Sequence, residues 1–198
     1  MKKILFTDID DCFISTANKF NNEEVLTIAA TDIDGNARSF ISKKQLALLD
    51  LFVTSGVEII PVTGRSYSTL MRLTVGSLLN SWKVVSHGAM IVKSNGDYCE
   101  QWLEYLNSNF PLENWSETLS RFNQVLNYSI RHLGVSAKSY IVSEQGVDCY
   151  ICIKCVEGID YTNVFDAILG HSELDLDDFK IHRNGRNVAL LPLMQESS

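Results

Sequence analysis

The first apolar positions form a short run, Ile4-Leu5-Phe6, that stops at Thr7 and an acidic cluster. Such a run predicts a buried strand with Asp8 at its C-terminal tip. From Val25 to Ile41 the pattern alternates in places around Asp34-Gly35, which predicts a hairpin. Ser42 then stands as a helix N-cap. Leu46, Leu49 and Val53 follow at helical spacing, and Gly56 closes that helix. Val57-Glu58-Ile59-Ile60-Pro61-Val62 predicts a second strand running into Thr63-Gly64-Arg65-Ser66. A helix is predicted over Ser68 to Leu79. A third strand begins at Val84-Val85, is broken at His87-Gly88, and continues through Ala89-Met90-Ile91-Val92 to a turn at Asn95-Gly96.

The first half therefore reads strand, hairpin, helix, strand, helix, strand. That order predicts an α/β domain with a parallel sheet and helical crossovers. In such sheets ligands sit beyond the carboxyl ends of the strands. Asp8, Asp10, Thr63, Arg65 and His87 all fall at such ends, far apart in sequence but predicted to converge. The second half has another rhythm. A long helix fits Asn114 to Leu133, closed by Gly134. Strands over Ser139 to Ser143 and Cys149 to Val156 meet at Gln145-Gly146. A helix over Tyr161 to Leu169 is ended by Gly170, and strands over Phe179 to His182 and Asn187 to Leu191 turn at Asn184-Gly185. This is an α-β-β-α-β-β pattern, a different kind of module from the first half.

Composition narrows the functional classes. The 198 residues are 45% hydrophobic and 21% charged, ordinary for a globular protein, and carry a formal net charge of -7. That sign argues against a partner with a nucleic-acid backbone or an anionic membrane surface. No apolar run approaches the ~18 residues that span a bilayer, and Ile4 to Phe6 is too short for a signal-peptide core. The five cysteines are odd in number and irregularly spaced, which speaks against a disulfide framework. A cytoplasmic protein is the expectation.

The chemistry lies at the first two strand tips. Asp8 and Asp10 place two carboxylates two residues apart. A carboxylate nucleophile that approaches an anionic phosphate needs a cation beside it, and magnesium, with its oxygen ligands, suits that role. The second carboxylate can pass protons to a leaving group and then to water. A covalent aspartyl-phosphate would split hydrolysis into two displacements. The competing reading is acids that merely end a strand in solvent. Thr63-Gly64-Arg65 adds a hydroxyl, a loop whose N–H groups can face an anion, and a cation at a helix start. Alone, this could be a routine strand-to-helix turn. Two such motifs at neighbouring parallel tips are harder to explain that way.

Four segments carry a resemblance. They are Leu5-Phe6-Thr7-Asp8-Ile9-Asp10-Asp11, Ile60-Pro61-Val62-Thr63-Gly64-Arg65-Ser66, Ser86-His87-Gly88-Ala89, and Asn184-Gly185-Arg186-Asn187-Val188-Ala189-Leu190-Leu191-Pro192. Together they resemble the haloacid dehalogenase (HAD) superfamily of phosphatases, in the branch that includes sucrose-phosphate phosphatases. The resemblance implies a Rossmann-like parallel core over residues 1–90 and a C2-type α+β cap over 91–190 that closes over the substrate. Residues 191–198 would begin the return to the core. It further implies that Asp8 is nucleophile and magnesium ligand. Asp10 would be the general acid/base, its carbonyl also touching Mg2+, and Thr63, Gly64 and Arg65 would bind the phosphoryl group. The implied reaction is hydrolysis of a sugar phosphate or similar small phosphorylated metabolite.

Two departures from that pattern shape the expectation. Cys12 stands where the family usually has Thr or Val. After the cap the family returns to its core with a Lys and an acidic loop, whereas residues 187–198 contain no Lys, Arg or Asp. The expectation is an incomplete core, an exposed sheet edge beside the first strand, weak or absent turnover, and a homodimer covering that edge. The alternative is a non-catalytic phosphate-binding or regulatory remnant; a fragment of a longer enzyme is a third reading. A response-regulator receiver also phosphorylates an aspartate at a strand end, but receivers are single compact sheets.

Other signals carry less. Cys149, Cys152 and Cys155 sit in a strong strand whose alternation sends Cys152 to the opposite face from the other two, against a metal cluster. His87, His132, His171 and His182 show no metal-ligand spacing. His87, at a strand tip, is read as a local structural residue. Asp175, Asp177 and Asp178 read as a solvated turn, and Trp102, Trp115 and Tyr105 as packing residues.

Overall fold

Lys3–Thr7 forms strand β1, and Val57–Pro61 forms β4, paired with it in parallel from Lys3↔Val57 to Thr7↔Pro61. Between them lie β2 (Leu26–Thr31), β3 (Ala37–Ser42) and helix α1 (Lys43–Thr54). The structure is a computed structural model and describes residues 3–21, 25–156 and 161–193. Of residues 191–198, expected to begin the return to the core, Leu191 and Pro192 still belong to a strand that starts at Asn187, and 194–198 lie outside the described residues. The chain divides into two compact units, residues 1–102 and 103–198, where the resemblance implies a boundary at residue 90. The hairpin that ends at Val92 belongs with the first unit.

The first unit is a sheet extended by one-residue steps. Beyond the last β1–β4 pair the Val62 N–H donates to the Thr7 carbonyl at 2.8 Å. Val62 in turn pairs in parallel with Val84, and the Thr63 N–H donates to the Val84 carbonyl at 2.9 Å. Strand β5 (Lys83–Val85) is thereby added beyond β4. The third strand breaks at His87-Gly88 as the pattern predicts, but the chain beyond the break does not resume the same direction. Ser86, His87 and Gly88 take φ of 52°, 59° and 94°, reversing the chain into β6 (Met90–Val92), antiparallel to β5.

β2 and β3 form the predicted hairpin, with Gly35 at φ 83° in its turn. Ser42 starts α1 with a capping box: its Oγ accepts from the Gln45 N–H, and Gln45 Oε1 accepts from the Ser42 N–H. The predicted helix over Ser68 to Leu79 is only a single turn, α2 (Tyr67–Leu70), and a 3-10 turn at Gly76–Leu78. Hydrogen bonding to β2 takes over the intervening chain: Thr31 N–H donates to the Arg72 carbonyl and Thr74 N–H to the Ala29 carbonyl. Residues 72–74 are thus committed to a strand-like contact, and β-branched Thr74 and Val75 and Gly76 give no helical propensity to resist it.

β1 is not the buried strand its composition suggests. Ile4 and Phe6 are 50% and 62% exposed, because among the described residues β4 is the strand's single neighbour in the sheet. The unit's core instead gathers Ile9, Ile14, Ala29, Ile41, Leu49, Leu70, Leu78, Val85, Met90 and Val92, all fully buried.

Helix α3 (Glu100–Asn109), which the apolar pattern did not single out, precedes the long helix α4 (Leu112–Leu133) of the second unit. α4 ends where predicted, on Gly134 in the left-handed conformation at φ 63°. The sheet of this unit is antiparallel, in the order β7 (Ala137–Glu144), β8 (Val147–Cys155), β10 (Asn187–Pro192), β9 (Phe179–Asn184). Helix α5 (Tyr161–Ser172) runs through Gly170 rather than stopping there. Leu119, Phe122, Leu126 and Ile130 of α4 and Phe165 and Ile168 of α5 pack on Ile151, Ile153, Val188 and Leu190 of the sheet. The observed order α-β-β-α-β-β is the predicted one.

A buried cation in the first unit generates a prediction. Lys83 is 2% exposed and its Nζ donates to the Ser81 carbonyl at 2.6 Å. Burial pushes its pKa below the ordinary 10.5. Between the lowered folded value and the ordinary one the unfolded chain holds more protons, so stability rises with pH in that window. Lys83→Met is expected to raise stability at neutral pH and to flatten this rise. Denaturant unfolding of both proteins from neutral pH up to the ordinary lysine value of 10.5 measures it; an unchanged slope throughout contradicts it.

Candidate active site

Two strand tips build the site. The parallel register that ends at Thr7↔Pro61 sets Asp8 level with Val62, so the loop after β1 and the loop after β4 leave the sheet side by side. Asp8 is exposed, and its Oδ1 accepts the Ile9 N–H at 2.7 Å, which fixes the carboxylate against its own backbone. The chain then turns sharply. The N–H groups of Cys12, Phe13 and Ile14 converge on the Ile9 carbonyl at 3.4, 3.0 and 3.1 Å, and Asp11 takes φ 60°. Ile9, Phe13 and Ile14 are buried beneath this turn, so the acids project from an anchored loop.

The three acids have different partners. Asp11 accepts from Lys19 Nζ and from Ser15 Oγ at 3.0 Å. The Lys19 hydrogen bond, aided by that of Ser15, holds its carboxyl below the usual range. Asp11 is therefore a structural acid. Asp10 faces the second loop, where Arg65 grips it with both arms of its fork: Nε donates to Oδ2 at 2.8 Å and one Nη to Oδ1 at 2.7 Å. The Arg65 side chain is 15% exposed and that of Asp10 35%. This contact directly joins the two loops.

The second loop is itself held from behind. Thr63 is 3% exposed and its Oγ1 accepts the Arg65 N–H at 3.1 Å, leaving its own proton to donate. The His87 N–H donates to the Thr63 carbonyl at 3.1 Å and the Ser86 N–H to the Arg65 carbonyl at 2.8 Å. These bonds are made by the left-handed, non-glycine pair Ser86–His87, a conformation that costs of order 1–2 kcal/mol per residue. The His87 ring lies directly on Gly64: a Cβ there would stand 2.4 Å from His87 Cε1. Gly64 is thus required by close approach, and His87 takes the structural role the sequence suggested.

Whether these donors suit magnesium is a matter of their chemistry. Among the described residues no group of three or more His, Cys, Asp or Glu side chains gathers. Magnesium needs only one or two carboxylates, its other positions being filled by water and substrate phosphate. The exposed Asp8 carboxylate and the main-chain carbonyl of Asp10 fit that requirement; the Asp10 side chain is engaged by Arg65.

Other residues prove structural. Cys149, Cys152 and Cys155 are buried, and burial pushes the Cys149 thiol up to about 12 and the other two in the same direction. None is a thiolate at neutral pH. Trp102 donates Nε1–H to the Ala89 carbonyl at 3.0 Å, and Trp115 packs edge-on against Phe179. Asp175, Asp177 and Asp178 form an exposed turn. The rings of His132 and His171 lie 4.8 Å apart between centroids, a pairing their spacing gave no sign of.

No family model matches the sequence, and no curated protein is significantly similar to it. Solved structures are similar in fold. A sucrose-phosphatase from Synechocystis, solved with sucrose and phosphate, is 16% identical over 96% of this chain and 64% of its own, with a TM-score of 0.50. An N-terminally truncated IMP-nucleotidase from Plasmodium falciparum is 14% identical over 96% of this chain and 53% of its own, with a TM-score of 0.52. A phosphatase of the haloalkanoate (HAD) superfamily from Bacteroides thetaiotaomicron is 12% identical over all of this chain and 69% of its own, at a TM-score of 0.46. The chain thus shares its α/β fold with the Synechocystis and Plasmodium proteins and spans 64% of the first chain's length and 53% of the second's.

Gly64→Ala is expected to destabilise the protein by about 1–3 kcal/mol, through the displaced His87 ring. Adding His87→Ala is expected to recover much of that loss. Thermal denaturation of the two single variants and the double variant measures the coupling; additive effects would show that the ring does not hold this loop.

Proposed function

We propose that the first unit carries a phosphoryl-transfer site in which Asp8 is the nucleophile, and that its substrate is a sugar phosphate or a similar small phosphorylated metabolite. The observation that carries the reading is the Arg65–Asp10 contact, which brings the two loops bearing Asp8 and Thr63 to one place. The HAD-type fold supports it, and the Synechocystis neighbour, a sucrose-phosphatase, suggests the sugar-phosphate class.

Each step has a residue to perform it. Thr63 donates its hydroxyl proton to a phosphoryl oxygen and the backbone of Gly64 approaches it closely. An Asp8 oxygen attacks phosphorus; the Asp8 O–P bond forms as the bond to the leaving oxygen breaks. Asp10 gives that oxygen its proton, and the product alcohol departs. Asp10 then takes a proton from water, which attacks phosphorus, releases inorganic phosphate and restores the Asp8 carboxylate. Asp8 and the Asp10 carbonyl would hold Mg2+, which would neutralise the phosphate charge.

One observation favours a second reading, a phosphate-binding protein without turnover. Both oxygens of Asp10 are engaged by Arg65. Fluorine NMR with beryllium fluoride, an acyl-phosphate mimic, together with p-nitrophenyl phosphate hydrolysis in Mg2+, separates the two. Beryllium fluoride is expected to bind the wild type and not Asp8→Asn. Thr63→Ala is expected to weaken any turnover by about 10- to 1000-fold. Binding without turnover assigns the second reading, and no binding by the wild type overturns both.

A further inference from the structure

We propose that Arg65 is a positioning residue that exchanges partners, holding Asp10 while the site is empty and releasing it when a phosphoryl group arrives. The inference rests on the phosphoryl-binding reading of this loop and adds to it the control of the acid/base.

The backbone of Arg65 is fixed at both ends, its N–H on Thr63 Oγ1 and its carbonyl on the Ser86 N–H. Only the side chain is left to move. That side chain spends its Nε and one Nη on Asp10, covering both carboxylate oxygens. In this state both carboxylate oxygens are turned to the guanidinium and held by it. The side chain is therefore in place but oriented to Arg65.

A phosphoryl group offers the guanidinium the same two-oxygen geometry with a larger negative charge. The Asp10 side chain is 35% exposed, so water reaches its carboxylate and can solvate it once the fork leaves. The exchange swaps one bidentate pair for another and leaves no buried charge unpaired. Binding of the anion and delivery of the acid then become one event. Lysine could not do this, because its ammonium is a point charge without a fork.

The test is a double-mutant cycle on inorganic phosphate binding in Mg2+, followed by calorimetry and by NMR of the 15N-labelled full chain. Asp10→Asn removes the competitor for Arg65, so phosphate is expected to bind about tenfold more tightly. That gain is expected to vanish in the Arg65→Gln background. If removal of a nearby negative charge alone were responsible, the gain would be equal in both backgrounds, and the inference fails. In the wild type, which needs no variant to fold, the Arg65 Nε–H resonance is expected to shift on phosphate addition together with the amides of Asp8 and Thr63. Shifts at Asp8 and Thr63 with none at Arg65 overturn the partner exchange alone. No shift at any of them overturns the phosphoryl-binding reading as well.

Discussion

The parallel pairing of β1 with β4 is the constraint on which the rest depends. Parallel strands leave the sheet in the same direction, so the loops at their tips must share one edge of the fold. The register fixes how closely: with Thr7 opposite Pro61, the acidic loop and the Thr63-Gly64-Arg65 loop emerge within one residue of each other. The side chains then complete the junction through a two-armed ion pair. A slip of one residue would turn every side chain of β1 to its other face and would separate Asp10 from Arg65.

The second loop is held by strain elsewhere. Ser86 and His87 adopt left-handed backbone without being glycine, and both direct their N–H groups onto the loop that carries Thr63 and Arg65. The hydrogen bonds gained there and the seat of the His87 ring on Gly64 offset that strain. The reversal at these residues also sends β6 back along β5, so one local conformation both ends the sheet and braces the site.

Much of this was readable from residues whose chemistry is local. Ser42 with Gln45, Gly134 after α4, and the Asp34-Gly35 and Asn184-Gly185 turns each announce an element boundary by capping or by φ. The strand tips were readable too, because Asp8 and Thr63 end apolar runs. What was hidden depends on distant partners. The helix expected beyond Leu70 yields to backbone bonds from β2 that no window of sequence contains. The exposure of Ile4 and Phe6 depends on which strands flank β1, not on their own apolarity. The pairing of Arg65 with Asp10 joins residues 55 apart; the sequence marked both as site residues but pointed Arg65 at phosphate. Of the turn after β5, the break at His87-Gly88 was readable, but not that Ser86 and His87 would themselves take left-handed backbone and send the chain back along β5.

The unequal burial of the five thiols has a practical outcome. Cys149, Cys152 and Cys155 are sealed in the second unit, whereas Cys12 is exposed and Cys99 partly so. Cys12 sits on the acidic loop, its Sγ 3.6 Å from Thr7 Oγ1. Alkylating reagents under native conditions will therefore react there first, and a Cys99→Ser background leaves a single accessible attachment point. A fluorophore or spin label placed on it would sit four residues from Asp8, turning an ordinary side chain into an optical or magnetic reporter of the loop.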